Sequence, residues 1–335
     1  MLREVKNRRL KPRIVPFQIT TSASGVTVDI GAGDITATRG SAGVGYVYPV
    51  NPFARNGLMI LQQSGSTGYY SALNMTAGTG SAFRYARIDN SGNGAEGTLD
   101  GILFGWDNAA DELVGIHNIK ATNERPRMIW GKIESGATVS IGASDFSVSS
   151  SATGTYEVLF TKAFGKTPIV IAQPVNATVL ASSTSSKTAY GVTVKLAERT
   201  PTLTDGDFYI FVIGSDSTSD SYDGGMPLQT SQRRVQIFGA EVTNDTGAWT
   251  KSIGSDDFGD ITDVGVGDFS MSVESETMGR DGIVLATTTT HQAQVAEDFS
   301  SGLVHVKTLN FLGNADDDDG VTHILAIGSL DATEY

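Results

Sequence analysis

The sequence contains the same series of four short motifs three times, at a spacing of about 110 residues. One motif is a Gly-rich turn followed by an acidic residue, and the matching residues are Asp34, Asp145 and Asp257. Another motif closes each repeat with a glycine after an apolar run, and the matching residues are Gly105, Gly214 and Gly328. Self-similarity at a fixed period constrains a fold more strongly than local propensity does. We therefore predict an internal triplication.

The remaining two motifs lie between these landmarks. Each repeat opens with basic residues before an apolar run, and the openings are Arg13-Ile14, Arg127-Met128 and Arg234-Val235. An apolar run follows a Gly or Pro near the middle of each repeat, and these runs begin at Leu58, Ile169 and Ile283. Because all four motifs keep their order, chance is a poor explanation for the pattern.

The repeat divides the chain into an arm, three units and two linkers. The arm is 1–10, the units are 11–110, 125–216 and 232–335, and the linkers are 111–124 and 217–231. A unit of about 100 residues can bury a hydrophobic core of its own. We therefore expect tandem domains and not the interdependent turns of a solenoid.

Each unit has the hydrophobic pattern of β-strands. Apolar and polar residues alternate in 26–30, 190–196 and 269–273, which is typical of strands with one buried face. Continuous apolar runs at 169–172 and 210–213 favour strands covered on both faces. Polar turn residues interrupt these segments, and no amphipathic helix of three turns is present in the pattern. The predicted fold is all-β, with three tandem β-sandwich or jelly-roll domains and an extended basic N-terminal arm.

The net charge of −13 is unevenly distributed. Residues 1–13 contain six basic residues against Glu4, whereas the other 322 residues contain 18 basic and 36 acidic ones. The basic residues that we predict to bind a partner are Arg3, Lys6, Arg8 and Arg9 in the arm, with Lys11 and Arg13 directly after it. An acidic body disfavours direct nucleic-acid binding, which needs clustered cations. We expect the arm to bind an acidic partner, including another copy of the body.

Few residues suggest catalysis or membrane insertion. The chain lacks Cys and contains neither a nucleophile elbow nor a zinc-protease motif, so we expect no enzyme activity. The N-terminus has no apolar segment of the kind a secretory signal needs, and no run is long enough to span a membrane. The repeated acidic residues follow Gly-rich turns, where a carboxylate typically caps nearby backbone. We interpret them, with the closing glycines, as structural positions.

Two acidic loops have oxygen ligands at a spacing similar to that of calcium loops. The first contains Asp89, Asn93 and Asp100, and the second, at the matching place in unit three, contains Asp316 and Asp318. Neither loop has the flanking helices of an EF-hand, and unit two lacks the acidic set. We expect no cofactor. Calcium binding stays an alternative to a solvated hairpin tip.

The layout of unit two resembles a known β-sandwich. Its segments 154–160, 164–171 and 208–214 resemble the sandwich of H-type lectins and of many tailed-bacteriophage virion proteins. The lectins' sugar-contacting residues have no counterparts here. The Gly/Ser/Thr-rich, Cys-free composition and the basic arm are similar to those of phage head decoration or tail proteins.

This resemblance implies a non-enzymatic structural protein of the virion, made in the host cytoplasm. It would bind capsid or tail proteins of a symmetric assembly through its sandwich faces and its arm, with self-association. The alternative is a carbohydrate- or receptor-binding module of a tail fibre or adhesin, with a glycan as receptor.

Overall fold

The computed structural model describes most of the chain in seventeen segments. They are residues 13–54, 57–64, 71–74, 81–89, 93–106, 116–119, 127–175, 181–198, 202–215, 229–230, 235–245, 248–254, 258–273, 283–288, 293–300, 303–309 and 320–329. These residues form 26 strands and no helix. The all-β, multi-domain β-sandwich class predicted from the sequence is confirmed.

Unit one contains eight strands in two four-stranded groups. The strands are β1 (Arg13–Ser22), β2 (Gly25–Ile30), β3 (Ile35–Ser41), β4 (Val44–Pro49), β5 (Leu58–Ser64), β6 (Ser71–Asn74), β7 (Phe83–Ile88) and β8 (Gly97–Gly105). One group has the order β2-β1-β8-β5 and the other β3-β4-β7-β6.

Strand β9 (Ile116–Ile119) comes between units one and two, and unit two again contains eight strands. They are β10 (Arg127–Glu134), β11 (Thr138–Ile141), β12 (Phe146–Ala152), β13 (Thr155–Phe160), β14 (Ile169–Pro174), β15 (Ala181–Ser185), β16 (Gly191–Ala197) and β17 (Phe208–Gly214). The two groups have the orders β11-β10-β17-β14 and β12-β13-β16-β15.

Unit three follows the short strand β18 (Gln229–Thr230). Its strands are β19 (Val235–Asp245), β20 (Ala248–Gly254), β21 (Phe258–Gly265), β22 (Asp268–Val273), β23 (Ile283–Thr288), β24 (Ala293–Ser300), β25 (Leu303–Leu309) and β26 (Gly320–Ser329). The two groups have the orders β20-β19-β26-β23 and β21-β22-β25-β24.

The three units therefore have the same strand order. In each unit, strands two, one, eight and five form a group that we call the inner sheet, and strands three, four, seven and six form the outer sheet. This shared topology is a property of the fold. The internal triplication of the sequence stays a prediction.

Strands five and eight of the inner sheets bury most of both faces, in agreement with the continuous apolar runs of the sequence. On β17, Phe208, Ile210 and Val212 pack between the two sheets of unit two. Phe211 and Ile213, on the other face of β17, join a second core that includes residues of all three units. We call this second core the shared core. The units are thus not independent domains connected in a row, because each inner sheet is covered by its neighbours.

The units contact each other in a closed cycle. Strand β5 of unit one contacts β15 of unit two, β14 of unit two contacts β24 of unit three, and β23 of unit three contacts β6 of unit one. In each case the fifth strand of one unit meets the sixth strand of another. At Ser64 and Thr184 the first contact becomes a parallel pairing, which joins two four-stranded groups into one eight-stranded sheet.

The segments predicted as linkers contain short strands that connect units. Strand β9 pairs with β19 of unit three, and β18 pairs with β10 of unit two.

The strand pairing also changes the predicted position at which unit three opens. Gly328 pairs with Gln236, as Gly105 pairs with Arg13 and Gly214 with Arg127. The opening of unit three therefore lies two residues after the predicted position at Arg234.

Candidate functional site

The repeated acidic residues Asp34 and Asp145 lie in equivalent turns between an inner and an outer sheet. The backbone N–H of Asp34 donates to Gly31 O and that of Asp145 to Gly142 O, both at 2.9 Å. Gly31 and Gly142 have φ angles of 85° and 86°, a left-handed conformation that favours glycine. Both aspartates are buried, and their structural role stays a prediction. Asp257 lies outside the described residues.

The closing glycines allow an aromatic ring to approach the backbone. A Cβ on Gly105 would lie 2.4 Å from the ring of Phe53, and one on Gly214 would lie 2.8 Å from the ring of Phe164. The opening arginine covers the same ring in both units. The guanidinium of Arg13 is 4.6 Å from the Phe53 centroid, and that of Arg127 is 3.8 Å from the Phe164 centroid. Gly328 lies next to the last residue of the equivalent strand of unit three, which ends at Ser329.

Arg13 does not belong with the binding residues of the arm. It lies in β1, is buried, and donates to the backbone carbonyl of Asn51 in its own unit. Its side chain therefore holds unit one together and is not available to a partner. The other residues predicted for the arm, Arg3, Lys6, Arg8, Arg9 and Lys11, lie outside the described part of the chain.

The first calcium candidate separates into two unrelated places. Asp89 and Asn93 close a hairpin, with the Asn93 N–H donating to Asp89 Oδ1 at 2.9 Å. Asp100 instead lies on β8, fully buried, where it forms an ion pair with Lys187. Asp100 is therefore removed from the candidate set. Asp316 and Asp318 lie outside the described residues, and the described residues contain no cluster of three or more acidic or histidine side chains able to hold a metal.

The ion pair of Asp100 joins two units. Lys187 follows β15 of unit two, and Gln18 Nε2 of unit one donates to the other carboxylate oxygen of Asp100 at 2.7 Å. Burial raises the pKa of Asp100 above its ordinary value, because desolvation penalises the carboxylate, while Lys187 acts in the opposite direction. The buried ion pair between Asp100 and Lys187 therefore links units one and two.

Backbone donors on the fifth strand of each unit are satisfied by the neighbouring unit. The N–H of Ala172 donates to Gln62 Oε1 at 3.3 Å, and the N–H of Ala286 donates to Gln173 Oε1 at 3.2 Å. The N–H of Leu61 donates to Thr287 Oγ1 at 3.2 Å and completes the cycle. The pairing registers place Gln62, Gln173 and Thr287 at equivalent positions. Edge strands that would otherwise expose unpaired donors are covered in this way.

His323 is a fully buried imidazole that contacts two units. It lies on β26 with no solvent exposure, and its Nε2 is 3.0 Å from Oε2 of the buried Glu241. Its Nδ1 accepts a hydrogen bond from unit one. The side chain therefore serves the contact between units three and one.

The outward faces of the outer sheets differ from one unit to the next. On unit one, Tyr46 and Tyr48 project from β4 with ring centroids 6.1 Å apart and planes inclined by 29°. Arg84 on β7 pairs directly with Tyr46. The equivalent positions in unit two, aligned through the buried Val47 and Val158, are Glu157, Leu159 and Thr193. The two tyrosines were not among the residues predicted to be functional, although their alternation with the buried Val47 is the signal that marks them as outward-facing.

Comparison with protein-family models, curated proteins and solved structures finds no match for this chain. Among the described residues, no helix has the length and apolar character needed to cross a membrane.

Proposed function

We propose that the protein is a non-enzymatic structural component of a virus particle, either a head decoration (cement) protein or a tail or fibre component of a bacteriophage. The observation that carries this proposal is the closed cycle of three sandwich units around the shared core. Closed cyclic contacts are the usual basis of symmetric assemblies, and a chain that contains three such units suits a threefold or quasi-threefold position. The partners would be capsid or tail proteins and further copies of this chain.

The placement of the reactive side chains supports a non-enzymatic role. Four described side chains whose chemistry would suit catalysis are each at most 7% exposed: His323, Glu241, Asp100 and Lys187. Their hydrogen bonds and ion pairs connect units instead of lining an open cleft. Buried charged groups of this kind cost free energy unless they are paired, so their pairing explains their presence without a substrate.

The arm supplies a second means of association. It is strongly basic, whereas the rest of the chain is strongly acidic. Contacts between an arm and the body of another copy, or of a capsid or tail protein, would therefore be attractive at long range and weakened by salt. Several weak contacts made together by neighbouring copies would bind with high avidity.

The experiment compares the full chain with a variant lacking residues 1–10. Sedimentation velocity and electron microscopy at 20 and 500 mM NaCl report self-association, and immunogold labelling of virus particles purified from the source culture reports location. We expect labelled particles and a salt-sensitive association that the deletion weakens. Unlabelled particles together with a monomer at low salt would reject the structural role, and equal association of both chains would reject the role of the arm.

A second candidate function is binding of a carbohydrate receptor by a tail fibre or adhesin. The specific observation in its favour is the Tyr46–Tyr48 pair, because Tyr46 remains 38% exposed on the outward face of a sheet. Aromatic rings with one polar end are common at binding surfaces that contact both apolar and polar groups. A glycan array probed with the full chain tests this function, and the absence of any bound glycan would reject it.

A further inference from the structure

The outward face of the unit-one outer sheet has a defined arrangement of side chains around Tyr46 and Tyr48. Val47 between them points inward and is fully buried, so the two tyrosines point outward together. The cross-strand partners of Tyr46 are Thr38 on β3 and Arg84 on β7, and Thr36 pairs with Tyr48. Directly paired residues of neighbouring strands project to the same side of a sheet. The face therefore presents two phenol rings, two hydroxyl side chains and a guanidinium.

Arg84 is notable because its charge is not used within the described structure. Within the described residues, the guanidinium of Arg84 forms no hydrogen bond, ion pair or ring contact, whereas Arg39 on the same sheet forms an ion pair with Glu96 at 2.8 Å. Arg84 is half-buried and lies between the inward-facing Phe83 and Tyr85. A guanidinium with unused donors is suited to bind a carboxylate through two parallel hydrogen bonds.

The surroundings limit where a ligand could lie. One step along the same face, toward the β3–β4 turn, Val44 packs against the buried Ala86 and Ile88. The exposed part of the face therefore begins at Tyr46 and Arg84 and continues toward Tyr48 and Thr36. A ligand in this position would contact apolar ring surface and polar donors at once. That combination matches a saccharide, whose C–H face packs on aromatic rings while its oxygens accept and donate hydrogen bonds.

We propose that the face formed by Tyr46, Tyr48, Arg84, Thr36 and Thr38 binds a saccharide that carries a carboxylate. The phenol rings would pack against the sugar, and Arg84 would pair with the carboxylate. This inference rests on the second candidate function and deepens it by naming the class of glycan. Charge complementarity at Arg84 favours an acidic saccharide, because the overall charge of −13 otherwise disfavours anionic ligands.

The site belongs to unit one alone. At the equivalent positions unit two has Glu157, Leu159 and Thr193, which place a negative charge where unit one has an aromatic ring. Unit three has Ser270 at the position of Tyr46 and His305 at that of Arg84, and His305 pairs with Asp268 at 2.9 Å. The three outward faces thus differ in chemistry although the strand order is the same, and unit two provides natural control positions.

The test is isothermal titration calorimetry of the full chain with two pairs of probes. Tetragalacturonate and sialyllactose are each compared with their own methyl esters, so that each pair differs only in whether the carboxylate is charged. We expect saturable binding of at least one acidic probe, about tenfold or more tighter than its neutral counterpart. Tyr46→Ala should weaken acidic binding by about tenfold or more, and Arg84→Gln should remove the preference for the acid.

The controls are Glu157→Ala and Thr193→Ala in unit two, which should leave binding unchanged, and near-ultraviolet circular dichroism verifies that every variant is folded. Binding that survives both Tyr46→Ala and Arg84→Gln would overturn the proposed site. Neutral probes that bind as tightly as acidic ones would overturn the acidic class while leaving the second candidate function in place. No binding of either acidic probe to the wild-type chain would also overturn the inference. The glycan array then tests separately whether the protein binds any carbohydrate receptor.

Discussion

His323 in unit three and Met59 in unit one are joined by a hydrogen bond of 2.9 Å from the Met59 backbone N–H to His323 Nδ1. Because Nδ1 accepts this bond, the proton of the neutral imidazole lies on Nε2 and is donated to Glu241, 3.0 Å away. The carboxylate thus fixes the tautomer that unit one requires. The buried His323 therefore orients a contact between units three and one.

Replacing this imidazole should destabilise the protein strongly. His323→Phe keeps an aromatic ring but removes the acceptor of Met59 and the donor to Glu241. Leaving one buried donor without its acceptor costs about 1–3 kcal/mol, and a buried carboxylate costs more. The free energy of unfolding in urea measures the loss. The matched control is His305→Phe, because Asp268, the partner of His305, is more exposed than Glu241. This control should lower the free energy of unfolding by about 0–1 kcal/mol. Equal losses in the two variants would contradict the assigned role of His323.

The ion pair between Asp100 and Lys187 predicts a pH-dependent effect. Burial raises the pKa of Asp100 in the folded state, so folding is favoured when this carboxyl is protonated and is opposed as pH rises above the ordinary value of 3.8. Lys187→Met removes the compensating charge and raises the pKa of Asp100 further. We expect this variant to lose about 3–5 kcal/mol at pH 7 and clearly less at pH 4, measured by guanidinium unfolding at both pH values.

The control for this effect is the double variant Asp100→Asn with Lys187→Met. With no carboxyl left to ionise, its stability relative to wild type should vary much less between pH 4 and pH 7. A Lys187→Met loss that is the same at both pH values would show that the lysine acts through packing and not through the charge of Asp100.

Adding a methyl group at the closing glycines should be harmful in both units. The Cβ of Gly105→Ala would lie 2.4 Å from the Phe53 ring, and that of Gly214→Ala would lie 2.8 Å from the Phe164 ring. Overpacking of this kind typically costs about 1–3 kcal/mol. Gly40→Ala is the control, because its nearest atom would be 3.5 Å away. Thermal unfolding should show a lowered Tm for the first two variants and little change for the control.

The shared core predicts that damage to one unit spreads to the others. Phe211 and Phe208 lie on the same strand and are both fully buried, but Phe211 faces the shared core and Phe208 the interior of unit two. Each substitution to Ala should cost about 3–5 kcal/mol. Hydrogen exchange should show Phe211→Ala loosening β5 and β23 as well as unit two, whereas Phe208→Ala should act mainly within unit two. Identical exchange maps would contradict the division into two cores.

The sequence was sufficient for the strand class but not for the arrangement of the units. Alternation in 190–196 and the apolar run 169–172 predict strands with one and two buried faces, and both segments are strands. An apolar run does not specify what covers it, so the second face of β14 could not be assigned to neighbouring units. The contacts of Gln62, Gln173 and Thr287 depend on pairing over more than 100 residues, which no local pattern encodes.

The candidate site was less predictable for a related reason. Asp100 matched a calcium spacing, yet its position on β8 directs it to Lys187 of another unit. Tyr46 and Tyr48 were not selected because their outward orientation depends on which side of the sandwich the rest of β4 packs. A shift of one residue in register would turn both tyrosine side chains to the inner face of the sheet. The packing of the buried Val47 is what fixes the register and therefore their outward orientation.

The cycle of edge contacts through β5, β14 and β23 lies within one chain, which affects stability at low protein concentration and the divergence of the three units. A trimer of separate chains dissociates on dilution, because its stability includes a concentration term. A single polypeptide removes that term, so the central hydrophobic contacts persist even when the protein is scarce. It also allows the outward faces of the three units to differ in sequence, because a mutation in one unit is not repeated in the other two. One unit can then acquire a binding surface while the other two keep the residues that hold the fold together.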